Sequence, residues 1–220
     1  MERRNFLKTA AIIAADSLIS VPAFAEDYRK ANNGLYQPQY TYNPFAGEQN
    51  QRNIIKNDIL PVQQSQQKDF WNLPRKLYIK RVATNEQSHI VYFADGKINE
   101  EGYKVAAYLL RDVKQNQMIG MDLKLLDLMC AVQAWLIYYG INGPLLINSG
   151  YRTSKTNGGL EGAAKNSMHL YGRAVDFTIP NLTPMVIAKI AAQFKAGGIG
   201  IYPSRNFIHL DTGGVRTWVR

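Results

Sequence analysis

Cysteine is almost missing from this chain: one residue in 220, Cys130, set inside the apolar run LLDLMCAVQAWLI. That excludes an intrachain disulfide, a CxxC pair and a cysteine-rich zinc site, and leaves Cys130 as a small buried hydrophobe. Histidine is nearly as scarce, at three residues: His89, His169 and His209. Long apolar runs are lacking too. The best of them, AAIIAADSLISVPAFA, is interrupted by Asp16 and Ser17 and is too short and weak for a stable membrane span. The chain is basic, with a formal charge of +9 and a pI near 9.6. It nevertheless has no Lys/Arg block of five to eight residues, so no nucleic-acid partner is expected and an anionic polymer suits the charge better. No internal repeat is visible.

What is present begins with an address. MERRNFLK places Arg3 and Arg4 ahead of Asn5, Phe6, Leu7 and Lys8, matching the twin-arginine export consensus, and the weak apolar stretch behind it ends in AFA. Cleavage is expected after Ala25, giving a periplasmic protein exported by the twin-arginine route. Residues 26–67 are rich in Gln, Asn, Tyr, Pro and Gly without periodicity, and read as a disordered spacer.

Residues 68–220 read as one domain. KLYIKRV and HIVYFA have strand character, DGKINE is a turn, and a helix is expected over 99–115 with Val105, Ala106, Leu109, Leu110 and Val113 at helical spacing. A second helix, DLKLLDLMCAVQAWLIYYG, has Asp122 as N-cap and Gly140 as its stop. PLLINSGYR reads as a buried strand ending in a glycine turn, 184–195 as a short helix, and RAVDFTI, GIGIY and FIHLD as further strands. The outline is α+β.

Two of these strands carry chemistry. Strand alternation puts Val175, Phe177 and Ile179 on one face of RAVDFTI and Ala174, Asp176 and Thr178 on the other. In FIHLD, Ile208 and Leu210 face one way while Phe207, His209 and Asp211 face the other. His169 lies just upstream of the first strand, in a turn relaxed by Gly172. Two imidazoles and one carboxylate make a three-ligand set for zinc, leaving a fourth position for water, whose pKa such an ion lowers to ~7. The absence of HExxH excludes the zincin arrangement. His89, in QSHIVYF, has no partner pattern and reads as ordinary. Arg152 follows a buried strand through a glycine turn, from which a fixed cation can meet charge developing in a tetrahedral intermediate. The plainer alternative is a surface arginine in a loop that also carries Lys155 and Lys165.

SMHLYGRAVD fits S-x-H-x-x-G-x-A-x-D and thereby resembles the zinc D-alanyl-D-alanine peptidases, whose fold is shared with the hedgehog signalling domain. SGYRT also resembles that family, as does GGIGIYPSRNFIHLDTGGVRTW, which is similar to its MepK-like murein endopeptidases, and the likeness covers roughly residues 75–220. The resemblance implies an antiparallel sheet with flanking helices, and one zinc ion held by His169, Asp176 and His209. It implies that Arg152 binds and polarises the scissile carbonyl and that Ser167 lines the substrate site. It implies hydrolysis of amide bonds in the peptide cross-links of peptidoglycan, and favours a bond between two diaminopimelates over one between D-alanine and diaminopimelate. A monomer without a membrane span is expected once the leader is removed.

Several relatives place an acid three residues before the last histidine, where this chain has Asn206, which takes no proton at neutral pH. Asp211 is the candidate general base in its stead, and equally a candidate to hold His209 or Arg152 by a hydrogen bond. Two other functions stay open: a D,D-carboxypeptidase trimming terminal D-alanine, and a non-catalytic, zinc-stabilised wall-binding domain, to which Asn206 lends weight.

Overall fold

The computed structural model describes residues 73–220; the expected leader (1–25) and spacer (26–67) lie outside the described residues. Eight strands form one sheet: β1 Arg75–Arg81, β2 Gln87–Ala94, β3 Lys97–Ile98, β4 Leu145–Ser149, β5 Ala174–Thr178, β6 Gly198–Tyr202, β7 Phe207–Asp211 and β8 Arg216–Val219. Their spatial order is β3-β2-β1-β4-β5-β7-β6-β8. Helix α1 spans Glu100–Leu109, α2 Leu123–Tyr138, α3 Ser154–Gly158 and α4 Pro184–Ala192, with 3₁₀ turns at Met168–Tyr171 and Pro203–Arg205. Among the described residues no helix is long and apolar enough to cross a membrane.

The α+β outline holds, and the sheet is mixed. Most pairings are antiparallel, but β1 runs parallel to β4 and β6 parallel to β8. Side-chain alternation specifies the face of each strand, not the direction of its neighbour. The long connection from β1 to β4, through β2, β3, α1 and α2, is what brings β4 back in the same direction.

Apolar residues of one sheet face build the core: Leu77 and Ile79 of β1, Leu145 and Ile147 of β4, Val175 and Phe177 of β5, Ile208 and Leu210 of β7, Ile199 and Ile201 of β6. Helix α1 packs on β2, α2 on β1, and α4 on β6 and β7. Eleven of the sixteen residues of α2 are buried, which explains its nearly unbroken apolar sequence. Cys130 lies among them, and burial pushes its thiol up to about 12, so it is inert packing. Asp122 caps α2 as expected, its Oδ1 accepting from the Lys124 N–H at 3.0 Å.

The first helix is shorter than its apolar spacing predicts, ending at Leu109 rather than 115. Asp112 is the physical reason. Its Oδ1 accepts from the N–H groups of Lys114 and Gln115, and its backbone exchanges two hydrogen bonds with Gln117, closing a tight loop that the helix cannot enter. Its Oδ2 accepts from both the N–H and the Oγ1 of Thr153, at 2.9 Å each. One buried carboxylate thus ties the loop after α1 to the loop after β4, where Arg152 sits.

Candidate metal centre

The side chains of interest stand on the sheet face opposite the core. Asp176 on β5 is directly paired with His209 on β7, which is paired in turn with Gly200 on β6, and Gly200 with Trp218 on β8. A Cβ on Gly200 would come within 2.6 Å of the Trp218 ring, so only glycine lets that indole lie across β6 towards His209. His169 reaches the same row from the 3₁₀ turn Met168–Tyr171. Ser167 caps that turn, its Oγ accepting from the His169 N–H at 3.4 Å, and Gly172 closes it at φ 65. The seven-residue interval between His169 and Asp176 is therefore one 3₁₀ turn, a left-handed glycine and the first residues of a strand.

Three donor atoms converge. His169 Nε2 lies 3.2 Å from Asp176 Oδ1, His209 Nδ1 lies 2.9 Å from the same oxygen, and the two ring nitrogens are 3.1 Å apart. All three residues are at least nine-tenths buried. The opposite nitrogen of each ring is already committed: His169 Nδ1 donates to the Gly150 carbonyl at 2.6 Å, and His209 Nε2 donates to Asp211 Oδ2 at 2.9 Å. These bonds set both tautomers and turn one lone pair from each imidazole towards the carboxylate. Three lone-pair donors meeting at one point are a fit for a metal ion, and among the described residues this is the group of His, Cys, Asp and Glu able to hold one.

The electrostatics agree. Burial would raise the Asp176 carboxyl, but His169 and His209 outweigh it and hold the group ionised, far below the ordinary carboxylate range. Burial lowers the pKa of the His169 ring. Burial acts the same way on His209, yet its hydrogen bonds to Asp176 and Asp211 overcome it and raise its pKa. Asp211 is fully buried and its oxygens are saturated. Oδ1 accepts from the N–H groups of Gly198 and Gly213 and from Arg216 Nη1; Oδ2 accepts from His209 and, at 2.6 Å, from Arg216 Nη2.

Arg152 joins the cluster on its other side. Its Nη2 donates to Asp176 Oδ2, its Nε donates to Ser149 Oγ at 2.7 Å, and its backbone N–H donates to the His169 carbonyl. The candidate site residues His169, Asp176, His209, Arg152, Ser167 and Asp211 all line one cavity of about 880 Å³, within the range of ligand pockets. His89 is elsewhere, stacked on Tyr78 at 3.8 Å.

Several contributors escaped sequence reasoning. Arg216 locks Asp211, and Trp218 and the stacked pair Tyr202–Phe207 wall one end of the cavity. Asp122, Arg173 and Thr212 form a clasp between α2, the start of β5 and the end of β7: Thr212 Oγ1 donates to Asp122 Oδ2 at 2.7 Å, and Arg173 Nη2 donates to the Thr212 carbonyl. Arg173 falls at an unspecified position of the motif, and its partners lie 39 and 51 positions away in sequence. Arg81, buried at the end of β1, also lines the cavity.

The family described as "Peptidoglycan L,D-endopeptidase MepK" matches residues 71–218. Peptidoglycan L,D-endopeptidase MepK of Escherichia coli K12 is 37% identical over 150 residues, covering 66% of this chain and 80% of that protein. The probable peptidoglycan L,D-endopeptidase MepK of Haemophilus influenzae is 35% identical over 150 residues, covering 66% and 79%. A sheet-borne His-Asp-His peptidase site defines the class, and the chain belongs to the MepK family within it.

Proposed function

We propose that this chain is a zinc-dependent peptidoglycan endopeptidase that hydrolyses amide bonds in murein peptide cross-links as a monomer outside the inner membrane, exported on its Arg3–Arg4 leader. The observation that carries the reading is the convergence of His169 Nε2, His209 Nδ1 and Asp176 Oδ1, with both imidazole tautomers set by hydrogen bonds to Gly150 and Asp211. These three atoms would hold the ion. Donor spacings of 2.9–3.2 Å lie close to the ~3.3 Å edge of a tetrahedron with zinc–nitrogen bonds of ~2.0–2.1 Å. Bound zinc supplies a Lewis acid and lowers the pKa of water to ~7.

The chain's own groups do the rest. Arg152, held by Ser149 and Asp176, presents a fixed cation beside the cluster, where it binds the scissile carbonyl and stabilises the charge that develops on its oxygen. Ser167 lines the substrate side of the same cavity. For Asp211 the positioning role is favoured over that of general base. Five hydrogen bonds and a strongly depressed pKa leave it little capacity to take a proton, while its bond to His209 aims Nδ1 at the cluster.

The deciding experiment measures metal content together with the products released from purified peptidoglycan, with and without chelator. Zinc near one equivalent and chelator-sensitive opening of cross-links are expected. Release of terminal D-alanine alone would make the protein a carboxypeptidase, and bound zinc without any product would make it a wall-binding domain. The names of its relatives favour an L,D bond.

A further inference from the structure

One charge in the cavity wall feels Asp112 and Asp176 only at a distance and is left with two unpaired donors. Arg81, the last residue of β1, is 5% exposed, and its Nε and Nη1 are buried without a hydrogen-bond partner. The neighbouring acids are already engaged. Asp112 gives Oδ1 to Lys114 and Gln115 and Oδ2 to Thr153, while Asp176 faces the two histidines and Arg152. Arg111, which repels Arg81, is paired through Nη1 with the Tyr108 carbonyl and through Nη2 with Glu86, its Nε alone being left unbonded. Arg81 stays protonated at neutral pH even though burial, then Arg111, lowers it to about 10. An unpaired buried guanidinium is destabilising, and Met or Gln would fill the same space without that penalty. Its presence in the wall of the cavity is explained if the missing partner arrives with the substrate.

We propose that Arg81 is the anchor for a free carboxylate of the peptide substrate, so that the cleft selects stems carrying that carboxylate over their carboxamides. The proposal rests on the endopeptidase reading and adds a specificity element to it. Across the sheet, β1 is separated from β5 by β4 alone, which sets the Arg81 backbone about 10 Å from that of Asp176 at ~4.8 Å per strand. The carboxylate therefore lies within about three residues' length of the cleaved amide. A planar guanidinium suits the two oxygens of a carboxylate, and an amide forfeits the charge. The far end of the cavity, walled by Trp218, Tyr202 and Phe207, offers apolar surface instead.

The test compares two probes on the zinc-loaded full chain: a cross-linked muropeptide dimer with free diaminopimelate carboxylates, and the same dimer amidated at them. Wild type should favour the free acid by about tenfold to a hundredfold in kcat/KM. Arg81→Gln should bring the two probes to within about threefold of each other, and Arg81→Lys should keep part of the preference. Melting is the second readout, and it separates this role from a structural one: Arg81→Gln and Arg81→Met should hold Tm or raise it by about 2–4 °C. A preference that survives in Arg81→Gln, or equal losses on both probes with a fallen Tm, overturns the proposal. Equal cleavage of both probes by wild type overturns it and leaves the endopeptidase reading standing. No cleavage of either defeats that reading, and this one with it.

Discussion

The two ends of the cavity treat charge in opposite ways. At the β7–β8 end Arg216 is half-exposed, bonded twice to Asp211, and lies over the Trp218 ring. At the β1 end Arg81 is almost wholly buried, and its Nε and Nη1 have no hydrogen-bond partner. The first arrangement organises: Arg216 fixes Asp211, Asp211 fixes His209, and His209 faces the cluster. The second leaves Nε and Nη1 of a cavity-wall arginine unpaired. The difference teaches that a closed hydrogen-bond network marks residues that position, whereas an open one marks a place where something is to bind. Asp176 stands between, joined to His209 on one side and to Arg152 on the other.

Asp176→Ala breaks both ends at once and has the largest expected effect: metal stoichiometry falls to zero and cross-link cleavage to background, read by metal analysis and muropeptide separation. Retained metal would show that the two histidines do not need the carboxylate. Arg152→Gln should lower kcat by about 10²–10³-fold while metal content stays near one equivalent, if the proposed role of its charge at the substrate oxygen holds. Asp211→Asn should weaken metal affinity by about 10–100-fold, with kcat recovering when metal is in excess. The inverse pattern, unaltered affinity and a kcat that excess metal does not restore, would make Asp211 the proton acceptor after all.

The smallest effect concerns pH and the supports away from the cluster. Burial raises the carboxyls of Asp112 and Asp122, but hydrogen bonds, from Thr156 and Thr153 in the first case and from Thr212 and Lys124 in the second, carry both below their ordinary value. A folded-state pKa below the unfolded ~3.9 adds stability that is complete at neutral pH. It is lost as pH falls through about 4 towards the lower folded values. Tm measured between pH 7 and 3 should decline, and Asp112→Asn should flatten part of that decline.

Much of this was legible before any coordinates. Helix α2 announced itself through its Asp122 cap and apolar run, and β5 and β7 through alternation that already put Asp176 and His209 on the polar-bearing face. Val113 keeps the helical period past the end of α1, but Asp112 competes through its bonds to Lys114, Gln115 and Gln117, in a loop anchored by Thr153, 41 residues later, which no local pattern records. The sheet was expected to be antiparallel, and its two parallel pairings depend on how long connections wrap.

By itself the sequence determined which residue types were available for chemistry, and through strand alternation which side chains share a face. Those properties are local, set by the two-residue period of a β-strand and the conformational freedom of Gly172. Tertiary structure alone decided that β5 and β7 are neighbours in the register that sets Asp176 against His209, which ring nitrogens keep their protons, and which arginine finds a carboxylate. Those outcomes depend on distances between groups far apart in the chain, and only packing sets such distances.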